Sequence, residues 1–122
     1  MSKFGELEAT VMDRLWSSEG PRSVRDLLEE LQQDRTIAYT TVMTVLERLF
    51  RKGLLTRVED NRAYLYSTVQ SRADYTAGVM VDTLANATDK TATLVHFVDR
   101  VSAREAKALL KALSDRTARR GG

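Results

Sequence analysis

The feature that most constrains this chain is a helical pattern that leads directly into a pattern of two short strands. In residues 39–52, apolar side chains recur at the i, i+3, i+4, i+7 spacing of one buried helix face. Gly53 follows two basic residues, which is typical of a helix end. Two apolar runs, Leu54–Val58 and Ala63–Thr68, then flank a turn-rich segment. The pattern predicts a helix followed by a β-hairpin.

The face of the predicted helix opposite its apolar stripe carries hydroxyl and basic groups. At about 100° per residue, Thr40, Thr44 and Arg48 lie opposite Val42 and Leu46. Such side chains can hydrogen-bond base edges and phosphates, and a helix bearing them fits the major groove of DNA. A helix and hairpin in this order are typical of a winged helix. The residues expected to contact DNA are Tyr39, Thr40, Thr41 and Thr44 (bases or adjacent phosphates), Arg48 (either), and Arg51, Arg57 and Arg62 (phosphates or the minor groove).

Basic groups are concentrated where these contacts are expected. The whole chain has a net charge of only +2, which on its own indicates no class of partner. Residues 35–62 carry a net charge of +3, whereas residues 1–34 carry −4. A solvated charged surface is the alternative interpretation. The distribution favours a phosphate-binding surface on the predicted helix and hairpin.

Helical patterns on both sides of this segment complete the predicted fold. Upstream, a helix from about Gly5 to Ser17 and a second one that starts at Ser23 predict a helix–helix–helix–strand–strand order. We therefore expect a mainly α protein with a small β-hairpin wing. A winged helix-turn-helix DNA-binding domain would occupy residues 1–70, a helical dimerisation region residues 71–118, and a flexible tail residues 119–122.

The dimerisation region is predicted from three helical patterns with apolar faces. The sequence is too short for these helices to form a second closed core, so we expect them to pack against a second copy of the chain. Ser102 and Glu105 form a capping box at the start of the last helix. The residues expected in the homodimer interface are Tyr75, Val79, Leu94, Phe97, Val98, Val101, Leu109, Leu110 and Leu113.

Composition argues against several other classes of protein. With no cysteine and one histidine, the chain lacks the ligands of ordinary metal sites and a cysteine nucleophile, so we expect no metal and no cofactor. We also find no nucleophile–base set and no phosphate-binding loop, and we expect no enzymatic activity and no small-molecule ligand. No apolar run approaches the ~20 residues that span a bilayer, and the first residues lack the apolar core of a signal peptide. We therefore expect a cytoplasmic protein.

Three stretches of the chain resemble the penicillinase repressors of the BlaI/MecI type. They are Leu7–Trp16 (LEATVMDRLW), Tyr39–Gly53 (YTTVMTVLERLFRKG) and Leu54–Tyr66. The run T-V-x-T-x-L-x-R-L-x-x-K-G within the second stretch is quite specific to that family. With the order of elements and the helical tail, the resemblance covers residues 4–114. It implies a dimeric transcriptional repressor that binds palindromic operators ahead of β-lactamase or resistance genes.

The resemblance also implies how repression is relieved. Members of the family are inactivated when a membrane sensor-transducer detects a β-lactam and the repressor is cut in its C-terminal domain. The bond cut in the family is Asn-Phe, and the matching bond here is His96–Phe97 within Leu94–Asp99. Because histidine replaces the asparagine, cleavage at this bond by a protease of the same specificity stays an open expectation. The related copper-responsive repressors bind metal through C-terminal cysteines, which this chain lacks.

Two other functions are compatible with the sequence. A winged helix can serve in protein–protein contact without DNA, which the acidic residues 1–34 support. In that case, binding would not depend on Arg48 and Arg51. The chain can also be a ligand-sensing regulator of another family, although its C-terminal helices are short for enclosing a pocket. Tyr64 and Tyr66 alternate on one strand face and are interpreted as packing residues.

Overall fold

The computed structural model describes residues 4–121 of the chain. It divides into two units, one that extends to Val79 and one that begins at Met80. The elements in chain order are α1 (Glu6–Trp16), β1 (Arg22–Ser23), α2 (Val24–Leu31), α3 (Tyr39–Arg51), β2 (Leu55–Asp60), β3 (Ala63–Thr68), α4 (Arg72–Ala85), α5 (Lys90–Arg100) and α6 (Ala103–Gly121).

The first unit is built around the apolar faces of α1, α2 and α3. The stripe predicted for α3 is buried along its whole length, and two side chains from the sheet, Leu55 and Tyr66, close the core. Each large apolar side chain buried in this way stabilises the fold by about 1.5–3 kcal/mol. The core residues are Val11, Met12, Leu15, Val24, Leu27, Leu28, Leu31, Val42, Val45, Leu46, Leu49, Leu55 and Tyr66.

The hairpin of β2 and β3 (hereafter the wing) has a tighter turn than the sequence predicts. The sequence predicts a first strand that ends at Val58, but in the structure this strand continues to Asp60, which pairs directly with Ala63. The two residues between them, Asn61 and Arg62, have φ angles of 50° and 69°. Positive φ at both central residues is the signature of a two-residue turn that matches the twist of a hairpin.

A third strand that the sequence did not predict extends this sheet. Strand β1 pairs antiparallel with β3, with Arg22 opposite Tyr66, so the strand order is β1-β3-β2. A strand of two residues carries no alternating pattern, and its partner lies far away in the chain. The pairing attaches the wing to the segment that leads into α2.

Helix ends in the first unit follow the predicted chemistry. The Ser23 hydroxyl accepts a hydrogen bond from the Asp26 amide (3.1 Å), and the Asp26 carboxylate accepts one from the Ser23 amide (3.2 Å). This reciprocal pair is the predicted capping box of α2. Gly53 has a φ angle of +83°, a left-handed conformation that glycine adopts without steric cost. It stops α3 and directs the chain into β2.

One carboxylate joins three elements of this unit. Glu30 of α2 accepts hydrogen bonds from Arg22 of β1 (2.6 Å) and from Arg14 of α1 (2.8 Å). The two bonds hold the pKa of Glu30 below its usual range, and the bond from Arg22 has the larger effect. The three side chains fix α1 and β1 on α2.

The second unit consists of α5, α6 and the end of α4. Asp89 caps α5 through the amide of Ala92 (3.0 Å), and the predicted capping box of Ser102 and Glu105 is present at the start of α6. Among residues 80–120 none is buried, and the apolar face of these helices is largely exposed. Helix α6 continues to Gly121 through most of the segment expected to be a flexible tail, and residue 122 lies outside the described residues.

The division of the chain between Val79 and Met80 does not test the predicted domain limits at residues 70 and 118, which stay predictions. Within residues 4–121, no helix has the combination of length and apolar character needed to cross a membrane.

Candidate nucleic-acid interface

The outer face of α3 presents a continuous polar surface. Tyr39, Thr40, Thr41, Thr44 and Arg48 are all exposed, because the opposite side of the helix is held in the core. Thr40, Thr44 and Arg48 are spaced by four residues and share one side of the helix, and Tyr39 and Thr41 lie on its flanks. The four residues that the sequence placed at the bases are therefore exposed on α3 together with Arg48.

The N-terminus of α3 adds a positive electrostatic contribution to this surface. Its N-cap is Ala38, which has no side-chain hydrogen bond to the helix, and the first turn contains no acidic residue. The backbone N–H groups of a first helical turn and the helix dipole favour an anion at this end. Thr40 and Thr41 lie in that turn and add hydroxyl donors. The end of α3 is thus suited to a DNA phosphate.

The four predicted arginines differ in their surroundings. Arg48 and Arg62 make no hydrogen bond and no salt bridge with any residue in the described range 4–121, and both are exposed. Arg51 pairs with Glu47 (3.0 Å), and its side chain stays 75% exposed. Such an exposed pair is weak and exchanges easily for another anion. Three of the four cations are therefore available at the surface.

Arg57 is engaged inside the protein. Its guanidinium carbon lies 4.1 Å from the ring centre of Phe50 and 4.0 Å from that of Tyr64. It also donates to the Tyr66 hydroxyl (3.5 Å) and lies 3.8 Å from the Glu47 carboxylate. The side chain is only 20% exposed. The hydrogen bond to Tyr66 helps to raise the pKa of Arg57, so the group is charged.

Two further cations near α3, Arg25 and Arg35, were not predicted from the sequence as part of this surface. Arg25 in the first turn of α2 lies with its guanidinium carbon 5.9 Å from the ring centre of Tyr39. Arg35, in the connection before α3, is exposed. The sequence contains one indication of the role of Arg25: the residue follows the first position of the apolar stripe of α2, which places its side chain on the flank of that helix.

An ion pair between a buried carboxylate and an exposed lysine anchors α3 at its other end. The Lys52 ammonium donates to both oxygens of the Glu8 carboxylate (3.2 and 3.1 Å), and the Gly5 amide donates to one of them (3.0 Å). The Glu8 side chain is only 8% exposed. The Gly5 amide, and then Lys52, lower the pKa of Glu8 against the opposing effect of burial. The pair fixes the start of α1 on the end of α3.

Tyr75 lies in the first unit, where it has partners of its own. Its ring stacks on Phe4 (4.9 Å between centres) and lies 5.5 Å from the ring of Trp16. Trp16 packs against the core, and its indole N–H donates to the Gln70 carbonyl (3.0 Å). The other residues expected in the dimer interface are exposed or half-buried: Val79, Leu94, Phe97, Val98, Val101, Leu109, Leu110 and Leu113.

The two residues of the expected cleavage site lie in the middle of α5. Both His96 and Phe97 are exposed. Within residues 4–121, no group of three or more His, Cys, Asp and Glu side chains is arranged to hold a metal ion.

Comparison with known proteins identifies the family. The family model described as "Penicillinase repressor" matches residues 4–115. The chain belongs to the penicillinase repressor family. A relative named "Transcriptional regulator BlaI" from Mycobacterium tuberculosis is 48% identical over 99% of this chain and 90% of its own length. The "Methicillin resistance regulatory protein MecI" of Mammaliicoccus sciuri is 30% identical over 59% of this chain and 58% of its own length.

Solved structures support the fold of this penicillinase repressor family member. A MarR family protein from Bacillus stearothermophilus has a TM-score of 0.50 and 15% identity over 99% of this chain and 78% of its own. The transcriptional regulator Tm0710 from Thermotoga maritima has a TM-score of 0.50 and 17% identity over 93% of this chain and 74% of its own. The predicted winged-helix fold is confirmed. Since its relatives are named as regulators, the prediction that the chain is not an enzyme is also confirmed.

Glu8, which is held by the Gly5 amide and by Lys52, gives the protein a pH-dependent stability. The folded-state pKa of Glu8 is lowered, so its contribution is fully present above the unfolded pKa of about 4.3 and is lost as pH falls through the folded pKa. Glu8→Gln should lower the free energy of unfolding by about 1–3 kcal/mol at pH 7. Urea unfolding of both proteins between pH 7 and pH 3 measures the effect.

Glu6→Gln is the matched control, because it removes an exposed carboxylate from the same helical turn. It should change stability little. A difference between the original protein and Glu8→Gln that stays constant from pH 7 to pH 3 would contradict the assignment.

Proposed function

We propose that this member of the penicillinase repressor family is a dimeric transcriptional repressor that binds a palindromic DNA operator with α3 in the major groove. The observation that carries the proposal is the exposed face of Thr40, Thr44 and Arg48 beside the uncapped N-terminus of α3. Hydroxyl and guanidinium groups at these positions match the hydrogen-bonding groups of base edges and phosphates. The protein would act in the cytoplasm, where its DNA lies.

Contacts would be divided according to position along α3. Residues near the N-terminus of a recognition helix reach base edges, and those farther along meet the backbone. Tyr39, Thr40, Thr41 and Thr44 would therefore contact bases or the phosphates next to them. Arg48 and Arg51 would bind phosphates along the groove. Arg62, at the tip of the wing, would reach a phosphate or the adjacent minor groove.

A homodimer would place two copies of α3 on successive turns of the DNA. The exposed apolar side chains of α5 and α6 are the proposed contact between copies, since an apolar surface of this kind marks an association site. Two-fold symmetry of the protein then requires an inverted repeat in the DNA. The centres of its half-sites should lie one helical turn, ~34–36 Å, or a multiple of it, apart.

Release from DNA would proceed through the C-terminal unit. The names of the family and of a relative, which mention penicillinase and methicillin resistance, support genes of β-lactam resistance as the target. A membrane sensor-transducer would be the indirect partner, as the resemblance of the sequence implies. The proposed cleavage site is the His96–Phe97 bond. None of the described residues of α5 is buried, so local opening of this helix would expose the bond with little disruption of packing.

The DNA surface is tested by the salt dependence of binding. Arg48→Ala should remove about one phosphate contact, so the slope of log Kobs against log[salt] should decrease in magnitude by ~0.9. Thr44→Ala should leave the slope unchanged, because it removes a base contact and no phosphate contact. It should weaken binding to the preferred DNA sequence by ~1–3 kcal/mol. Fluorescence anisotropy with labelled duplexes at several salt concentrations measures both.

Arg119→Ala is the control for Arg48→Ala, because it removes the same charge from the end of α6. It should alter neither slope nor affinity beyond a small long-range effect. Equal slopes for the original protein and Arg48→Ala would remove Arg48 from the interface.

The dimer is tested by placing a charge on its proposed contact. Val98 is 52% exposed and lies on the apolar side of α5. Val98→Asp should increase the dimer dissociation constant at least tenfold, since each buried carboxylate without a partner costs more than about 1.4 kcal/mol. Sedimentation equilibrium measures the constant.

His96→Asp is the control, because it makes the same charge change on the opposite side of α5. It should leave the dimer dissociation constant nearly unchanged. A stable monomer of the original protein at micromolar concentration would contradict the dimer.

A further inference from the structure

Arg57 differs from the other arginines near α3, because its charge is already satisfied within the protein. Two aromatic rings lie within about 4 Å of its guanidinium carbon, those of Phe50 (4.1 Å) and Tyr64 (4.0 Å). Attraction between a cation and an aromatic face is significant within about 6 Å of the ring centre, and it strengthens as water is excluded. With a side chain only 20% exposed, Arg57 is largely shielded from solvent.

The contacts of Arg57 join three separate elements. Arg57 lies on β2, directly opposite Tyr66 of β3 in the strand register, and it donates to the Tyr66 hydroxyl (3.5 Å). Tyr64 is also on β3, whereas Phe50 lies on α3 and packs against the core. One side chain therefore connects both strands of the wing to the recognition helix.

Glu47 completes this arrangement from the outer face of α3. It is the only acidic residue in the helix, and it lies among groups proposed to bind polyanionic DNA. Its carboxylate is 3.8 Å from Arg57 and 3.0 Å from Arg51. Because a carboxylate on this face would repel DNA phosphates, Glu47 must have a role other than binding DNA. Here it neutralises the partly enclosed charge of Arg57 and orients the guanidinium.

We propose that Arg57 is a positioning residue that holds the wing at a fixed angle to α3, with Glu47 as its counter-ion, and that it does not bind phosphate. To reach DNA, the guanidinium would have to leave two rings, a hydroxyl and a carboxylate. Arg62, at the tip of the same hairpin, is exposed and makes no hydrogen bond or salt bridge within residues 4–121. The wing would thus contain one arginine that determines its position and one that contacts DNA. The part that concerns DNA rests on the proposed function.

The test separates the structural role from charge, by comparing Arg57→Lys with Arg62→Lys and Arg62→Ala. Lysine keeps the positive charge but lacks the planar guanidinium that lies over the rings. In the free protein, Arg57→Lys should accelerate amide hydrogen exchange in residues 55–68 by about two- to fivefold for each ring that the guanidinium no longer covers. Arg62→Lys, the matched control, should leave that exchange unchanged. Two-dimensional NMR of the full chain measures it without DNA.

Binding provides the second measurement. Arg57→Met, which keeps most of the aliphatic side chain, should leave the slope of log Kobs against log[salt] unchanged and lower affinity by a similar factor at every salt concentration. Arg62→Ala should reduce the magnitude of the slope by ~0.9. A slope reduced by about this amount in Arg57→Met, or unchanged exchange in Arg57→Lys, would overturn the proposal. Absence of DNA binding by the original protein would contradict the proposed function alone, because the exchange result needs no DNA.

Discussion

The burial of one face of α3 is the constraint on which the rest of the structure depends. Val42, Val45, Leu46 and Leu49 supply the centre of the core, and α1, α2 and the sheet pack around them. A helix repeats every 3.6 residues, so fixing these four side chains also fixes the direction of every other side chain on α3. A rotation that turned Arg48 inward would bury a charge without a partner, which is strongly unfavourable. Core packing and the polar outer surface are thus two consequences of one periodicity.

Ionic contacts then decide which cations remain at the surface. Lys52 forms a salt bridge with the buried carboxylate of Glu8. Arg57 contacts the aromatic ring of Phe50 and the carboxylate of Glu47. Arg48 and Arg62 make no hydrogen bond or salt bridge with any of the described residues, and Arg51 has only an exposed salt bridge. A count of basic residues around α3 therefore overstates the charge available to DNA. In this fold, part of the basic composition serves to hold the helix and wing in place.

The parts of the fold that could be predicted from sequence are those with local causes. The stripe of α3, the stop at Gly53 and the capping boxes at Ser23 and Ser102 each depend on residues within one or two turns. The exposed positions of Thr40 and Thr44 follow from the same periodicity. The order of the helices and of the two strands of the wing was therefore predicted, with differences of a few residues at the ends of elements.

The features that the sequence did not predict depend on contacts between distant residues. Strand β1 exists only through its pairing with β3, and no pattern in Arg22–Ser23 indicates it. The enclosure of Arg57 requires Phe50 and Tyr64 to meet across the junction of helix and wing. The stacking of Tyr75 on Phe4 likewise joins residues that are far apart in the chain, and the expected place of Tyr75 in the dimer contact stays a prediction. Helical phase predicts that a side chain is covered, but it does not say what covers it.

Selection of binding sites from randomised duplex DNA, followed by affinity measurement at several salt concentrations, tests the central claim most directly. A dimeric repressor with one α3 in each major groove should enrich an inverted repeat whose half-site centres are one helical turn, or a multiple of it, apart. Binding to this repeat should weaken steeply with salt, since each neutralised phosphate contributes ~0.9 to the slope. Failure to enrich any sequence, together with flat salt dependence, would contradict the account and favour a winged helix that serves in protein–protein contact.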